Sequence, residues 1–182
     1  MNVLILEGSS RDGGRTAEAV AALTEGLVAG GAAVELVHLL DAKIGLCNQL
    51  GPDGFGECLA KGECKIKDGF GPLVERLRAT DLAVFATPVY WGEISEITRA
   101  FIDRLRRICL NETGKKGIKG KRTFAFCVAG GGGGGSFHSA DLLNRILGHC
   151  DMDVIDVLPA RKQNFDLKLD VLRLTGRWLA KG

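Results

Sequence analysis

The sequence predicts an α/β fold of three layers, in which a doubly wound, parallel, five-stranded sheet lies between two layers of helices. Three observations lead there. Short continuous apolar runs, the form taken by strands buried on both faces, recur along the chain. Segments with apolar residues at helical spacing fall between them, and no repeat, low-complexity tail or Pro/Ser-rich linker divides the 182 residues. Alternating strands and helices imply right-handed crossovers. With five strands the common order is 2-1-3-4-5, whose ligand crevice lies beyond the carboxyl ends of strands one and three. The length fits a single domain over residues 1–182.

Val3 to Leu6 is the first strand, ending at Gly8-Ser9-Ser10. Apolar residues at Ala17, Val20, Leu23 and Leu27 then mark an amphipathic helix that Gly30-Gly31 closes. Val34 to Leu40 reads as strand two. Residues 42 to 68 carry five Gly, one Pro and three Cys with no steady period, a loop far longer than the roughly 12–15 residues beyond which loops are usually functional or mobile. Phe70 to Ala79 forms a short helix, and Leu82 to Ala86 is strand three, stopped by Thr87-Pro88. Ile94, Ile97, Phe101, Leu105 and Ile108 share one helical face that packs on the sheet. Thr123 to Ala129 is strand four, followed by six consecutive glycines and a helix marked by Leu143, Ile146, Leu147 and Cys150. Val154 to Leu158 is strand five. A closing helix runs from Leu167 to Leu179, with Val171, Leu174 and Trp178 at helical spacing.

Composition narrows the function. A net charge of +2 provides no global field for a polyanion, so no nucleic-acid partner is expected. The longest uninterrupted apolar run, Phe124 to Ala129, is six residues against the roughly 20 that span a bilayer, so no membrane association is expected either. Residues 1 to 8 lack both a basic segment and a long apolar one, which makes a cytoplasmic location the expectation. Six cysteines then read as reduced thiols or ligands rather than as a disulfide framework. Cys109, Cys127 and Cys150 lie in apolar surroundings and read as small buried hydrophobes, whereas Cys47, Cys58 and Cys64 share the long loop.

In a parallel sheet every strand-to-helix loop leaves from the same edge, so unusual loops after strands one, three and four share a rim. Gly8 to Thr16 combines flexible backbone with hydroxyls at Ser9, Ser10 and Thr16 and guanidinium groups at Arg11 and Arg15, just before a helix. Those are phosphate-binding groups, although a polar turn capped by Ser10 or Thr16 has the same composition. Thr87 to Glu93 places Tyr90 and Trp91 at a strand's carboxyl end, where they either pack in a core or border a flat ligand. Gly130 to Gly135 has no side chains over six positions, which fits close approach by a ligand or a mobile surface turn. Together a phosphate cradle, an aromatic edge and a bare backbone wall suit a phosphorylated planar ligand.

These residues carry a family resemblance. Gly8-Ser-Ser-Arg-Asp-Gly-Gly-Arg-Thr16 resembles the GSPRxxGNT phosphate loop of the NAD(P)H-dependent FMN reductase and iron-sulfur flavoprotein family, which has the flavodoxin-like fold. Pro88-Val-Tyr-Trp-Gly92, with Ala100-Phe-Ile-Asp-Arg104 after it, is similar to that family's SPVYxGxxSxxMKxFIDR segment, and the glycine run resembles its third flavin loop. Ser10 stands in place of the family's proline, Arg15 of its asparagine and Thr87 of a serine. The resemblance implies that Ser9, Arg11, Arg15 and Thr16, in the loop that includes Gly14, hold an FMN phosphate. It implies that Pro88, Val89, Tyr90, Trp91 and Gly92, with Gly130, Gly131, Gly132 and Gly133, flank the isoalloxazine.

The cysteine loop departs from that pattern. Cys58-Leu-Ala-Lys-Gly-Glu-Cys64 resembles the end of the iron-sulfur members' motif, but Phe55 stands where a further cysteine would, and Cys47 is separated from Cys58 by ten residues. Four thiolates normally hold a cubane, so three leave no expectation of an iron-sulfur cluster and no metal ligand is named. A relict or redox-active thiol loop, or a Zn²⁺ site lacking the usual CxxC spacing, are the other readings.

The function implied is an FMN-dependent NAD(P)H oxidoreductase. FMN is its cofactor, NAD(P)H the co-substrate, and a small molecule or protein the second electron acceptor. No catalytic side chain is expected, because the cofactor carries the chemistry. An electron carrier without nicotinamide turnover and a flavin-free domain of the same fold are the alternatives. The resemblance further implies a homodimer or homotetramer. The basic residues of segment 104–122, Arg104 and Arg107 among them, read as a solvated surface, and His138 as part of a polar helix start.

Overall fold

A computed structural model describes residues 1–49, 54 and 56–182. In chain order the elements are β1 (Asn2–Glu7), α1 (Arg15–Ala29), β2 (Ala33–His38), α2 (Glu57–Lys61), α3 (Phe70–Ala79), β3 (Leu82–Tyr90), β4 (Glu93–Ile94), α4 (Glu96–Ile108), α5 (Glu112–Lys115), β5 (Arg122–Ala129), α6 (Ser136–His149), β6 (Asp153–Arg161) and α7 (Phe165–Leu179). The parallel strands run in the order β2-β1-β3-β5-β6, the expected 2-1-3-4-5 once the two-residue β4, antiparallel to β3, is set aside.

Strand alternation divides the core in two. Leu4 and Leu6 of β1 face the helices α3, α4 and α6, with Phe70, Phe101 and Leu143 among their neighbours. Val3 and Ile5 face α1 and α7, against Leu23, Leu27 and Leu172. Phe70, Phe85 and Phe101 pack ring against ring beneath α4, with centroids 5.5 and 6.3 Å apart.

Four expectations are corrected. Strand three does not stop at Ala86 but runs through Pro88 to Tyr90. The Gly8 N–H donates to the Ala86 carbonyl at 2.8 Å, so Ala86 and, two residues on, Pro88 turn their backbone groups toward the β1 side, where pairing with β1 has already ended. The N–H that proline lacks therefore costs no ladder bond. In α7 it is Phe165, Leu172, Gly176 and Leu179 that pack on the core, while Leu167, Leu174 and Trp178 are about 60% exposed. The basic residues of 104–122 are not one solvated face, since Arg104 and Arg107 are buried. The long loop is not featureless, because α2 interrupts it.

Candidate functional site

The carboxyl edge of the sheet gathers the three unusual loops. The first begins at Gly8, where a side chain would overlap the hydroxyl of Thr98 on α4. That closeness serves a buried hydroxyl network. Ser95 caps α4 by accepting from the Thr98 N–H at 3.2 Å, and its own hydroxyl donates to the Gly8 carbonyl at 2.6 Å. Thr98 donates to Thr87 Oγ1 at 3.0 Å, and the Ser95 N–H donates to the same oxygen at 3.1 Å. Thr87, Ser95 and Thr98 are all buried, so the network fixes the first loop to the end of β3. Sequence reading missed Ser95 and Thr98. The signal available was Ser95 three residues before Thr98 at the start of an apolar-periodic segment, a capping pattern that says nothing about a distant carbonyl.

Neither Ser10 nor Thr16 caps α1, as a purely structural turn would require. Gly14 is its N-cap and no side chain takes the first-turn N–H groups. A fifteen-residue helix thus presents unpaired donors and its positive dipole end beside Arg11 and Arg15, both exposed. Ser9 closes a small turn, accepting from the Arg11 N–H at 3.2 Å and donating to the Arg11 carbonyl at 3.1 Å. Just below this loop Glu7 is buried. Burial raises its carboxyl above the ordinary value, with Asp12 adding to the rise and His38, 3.0 Å away, partly offsetting it.

The second loop is a two-residue hairpin. Trp91 (φ 53°) and Gly92 (φ 88°) join β3 to β4 with both residues left-handed, as a tight antiparallel turn demands. Glycine meets that demand freely, but tryptophan does so against its preference, and its ring is left wholly exposed. Tyr90 is tied to the first loop through a 3.2 Å hydrogen bond between its hydroxyl and Ser10 Oγ.

The third loop folds back on the other two. Gly133 N–H donates to the Gly130 carbonyl at 2.9 Å, and Gln163 Nε2 donates to the Gly132 carbonyl at 3.0 Å, so the run is a held turn rather than a loose one. Ser139 of α6 donates to the Gly92 carbonyl at 3.2 Å, and Gly135 packs directly on Gly92. A Cβ on Gly131, Gly132 or Gly134 would meet nothing within 4 Å. His138 stands in the first turn of α6 with Nε2 2.8 Å from Glu93 Oε1.

The three loops enclose a cavity of about 620 Å³, within the range of small-molecule and cofactor sites. Each expected binding residue of the three loops lines it, and Val128, Ala129 and Gly134 complete the wall. One end is cationic and rich in donors, at Arg11, Arg15 and the α1 terminus. The other offers Tyr90, Trp91 and bare glycine backbone.

That asymmetry fits FMN. Its phosphate dianion matches the uncapped helix end and two guanidinium groups, and the open space over Gly131, Gly132 and Gly134 leaves room for a flat ring against peptide planes. An iron-sulfur cluster is not matched in the same way. Cys47, Cys58 and Cys64 lie half-buried around the small cavity between the long loop and α4, but Cys109, Cys127 and Cys150 are buried in the core, so the thiol set there ends at three.

Comparison with known proteins identifies the family. A family model described as NADPH-dependent FMN reductase matches residues 1–163. An iron-sulfur flavoprotein of Archaeoglobus fulgidus is 33% identical over 105 residues, covering 58% of this chain and 46% of that protein. A second from the same organism is 31% identical over 122 residues, covering 66% and 56%. The chain thus spans about half the length of the curated relatives it matches. Among solved structures, an NAD(P)H:quinone oxidoreductase from Methanothermobacter marburgensis superposes with a TM-score of 0.72 at 18% identity, covering 98% of this chain and 96% of that one. At that identity the likeness establishes the flavodoxin-like α/β fold. No helix among the described residues is long and apolar enough to cross a membrane.

Proposed function

The chain belongs to the NADPH-dependent FMN reductase family, and from that premise we propose that it is an FMN-dependent oxidoreductase taking hydride from NAD(P)H and passing electrons to a second, small acceptor. The observation that carries this reading is the single 620 Å³ cavity in which all three loops meet, cationic at one end and flat-walled at the other.

Bound FMN supplies the hydride-accepting ring, and the chain's own residues supply position and electrostatics. Arg11, Arg15, Ser9, Thr16 and the first-turn N–H groups of α1 would hold the phosphate. Backbone N–H groups of Gly131 and Gly132 would lie against the ring and stabilise negative charge as it is reduced, the role preorganised dipoles play in a site shielded from water. Tyr90 and Trp91 border the cavity mouth, where a nicotinamide or an aromatic acceptor would enter. No side chain is needed to move a proton at the step of hydride transfer. One entrance serving donor and acceptor in turn implies that the first product leaves before the acceptor binds.

Steady-state kinetics with NADPH or NADH against a quinone test this. Parallel double-reciprocal plots are expected, and intersecting plots would contradict the shared entrance.

A further inference from the structure

Away from the flavin cavity, the three cysteines of the long loop come together. Cys47, Cys58 and Cys64 line one cavity of about 20 Å³, room for roughly one water-sized species. Two arginines a helical turn apart on α4 reach it. Arg104, 1% exposed, donates through Nη2 to Cys64 Sγ at 3.3 Å, and Arg107 lines the cavity beside Cys58. Arg104 is itself held rigidly, with Asp68 oxygens at 2.6 and 3.0 Å, the Gly45 and Ile66 carbonyls at 3.0 and 3.4 Å, and the Phe70 ring 4.3 Å beneath.

The backbone returns Cys64 to Cys58. Cys58 sits on α2, Gly62 reverses the chain with φ 70°, and Asn111 pins the turn by donating to the Leu59 and Ala60 carbonyls at 2.9 and 3.2 Å. Three thiols on one cavity fall one short of the four that normally hold a cubane, and of the three Cys58 and Cys64 are the pair that this turn joins. Among the described residues no three His, Cys, Asp or Glu side chains are grouped as metal ligands.

We propose that Cys58 and Cys64 form a peroxide-reactive dithiol site, with Cys64 as the attacking sulfur and Cys58 as the resolving thiol. Arg104 aims a charged donor at Cys64 Sγ, and Cys64 is half-buried and so within reach of a small oxidant. Cys58, across the same cavity at the other side of the Gly62 turn, is placed to resolve it.

Cys64 sulfur attacks one oxygen of a hydroperoxide. The O–O bond breaks, the departing oxygen leaves as alcohol or water after taking a proton, and Cys64 becomes a sulfenic acid. Cys58 sulfur then attacks Cys64 sulfur; the S–S bond forms, the S–O bond breaks, and hydroxide leaves as water with the Cys58 proton. Two thiols are oxidised by two electrons in all, and one hydroperoxide is reduced. None of this uses the flavin cavity, so the proposal stands or falls separately from the oxidoreductase reading.

The test is to reduce the full-length protein, remove the reductant anaerobically, add one equivalent of hydrogen peroxide, alkylate, and map the tryptic peptides. Cleavage at Lys43, Lys61 and Lys65 places Cys47 and Cys58 in the peptide 44–61 and Cys64 in 62–65. The wild type and Cys47→Ser should give these two peptides joined by a disulfide, at least tenfold faster than free cysteine reacts. Cys58→Ser should stop at a Cys64 sulfenic acid that a dione reagent traps, and Cys64→Ser should give neither product. Full alkylation of all three loop thiols after peroxide would overturn the proposal. So would oxidation confined to the buried Cys109 and Cys150, or iron and acid-labile sulfide retained by the anaerobically prepared protein.

Discussion

Gly135 packs on Gly92 with no room for a side chain: a Cβ at Gly135 would overlap the Gly92 Cα and stand 2.8 Å from its carbonyl oxygen. This contact sets the glycine run against the hairpin after β3 and so shapes the cavity in which the three loops meet. Gly132, three residues earlier, faces open space. The two positions therefore separate architecture from binding. Gly135→Ala, at φ 80° as well as crowded, should cost about 2 kcal/mol of stability, read from denaturant midpoints. Gly132→Val should leave stability within about 0.5 kcal/mol while lowering FMN affinity at least tenfold in a fluorescence titration.

The hydroxyl of Ser95 both caps α4 and holds the Gly8 carbonyl. Ser95→Ala removes the cap and leaves a buried carbonyl without that partner, at a cost of about 2 kcal/mol. Because the carbonyl belongs to the loop proposed to hold the FMN phosphate, FMN affinity should fall with it. Thermal melts with and without FMN check both.

Trp91 is strained and wholly exposed, so it gives the fold little. Asparagine tolerates the left-handed conformation far better, and Trp91→Asn should stabilise the protein by about 1 kcal/mol. The same change should lower kcat/KM for an aromatic acceptor severalfold. A mutation that raises Tm while lowering turnover would mark the strain as functional.

Fold and loops were legible because each rests on a local signal. Apolar runs such as Val3–Leu6 and Phe124–Ala129 have the form of strands buried on two faces, and their alternation with helices implies a parallel sheet, whereas the order 2-1-3-4-5 is expected only as the common one for five strands. Gly8 to Thr16 and Gly130 to Gly135 announced themselves by composition. What stayed hidden depends on partners far apart in sequence. Pro88 reads as a strand stop until β1 is seen to end beside Ala86. Arg104 and Arg107 read as part of a solvated charge run, although Asp68 and the cysteine loop cover them. Leu174 and Trp178 have the spacing of a core face on a helix whose packed side is set instead by Leu172 and Gly176 against α1. Phe55, which stands where a further cysteine of the family's motif would, lies outside the described residues.

Asp68 anchors that buried arginine, and its titration should be visible in stability. Burial works to raise its carboxyl, but hydrogen bonds from Arg104 and from the Gly45 and Phe70 N–H groups together hold it below the ordinary 3.8. A group depressed in the folded state adds stability above its unfolded value and loses it as pH falls through the folded one. Asp68→Asn should therefore cost about 3 kcal/mol at neutral pH, and its deficit relative to wild type should shrink steadily below pH 3.8. A deficit constant with pH in chemical denaturation would show that the carboxylate charge is not what holds Arg104.

The most direct test of the oxidoreductase account is anaerobic mixing of the FMN-loaded protein with NADPH or NADH, followed at the visible flavin band. The account predicts that one of the two bleaches the band within turnover time, and that a quinone added afterwards restores it. If neither nicotinamide bleaches the band while a reduced ferredoxin does, the protein is an electron carrier and the hydride-transfer reading is wrong.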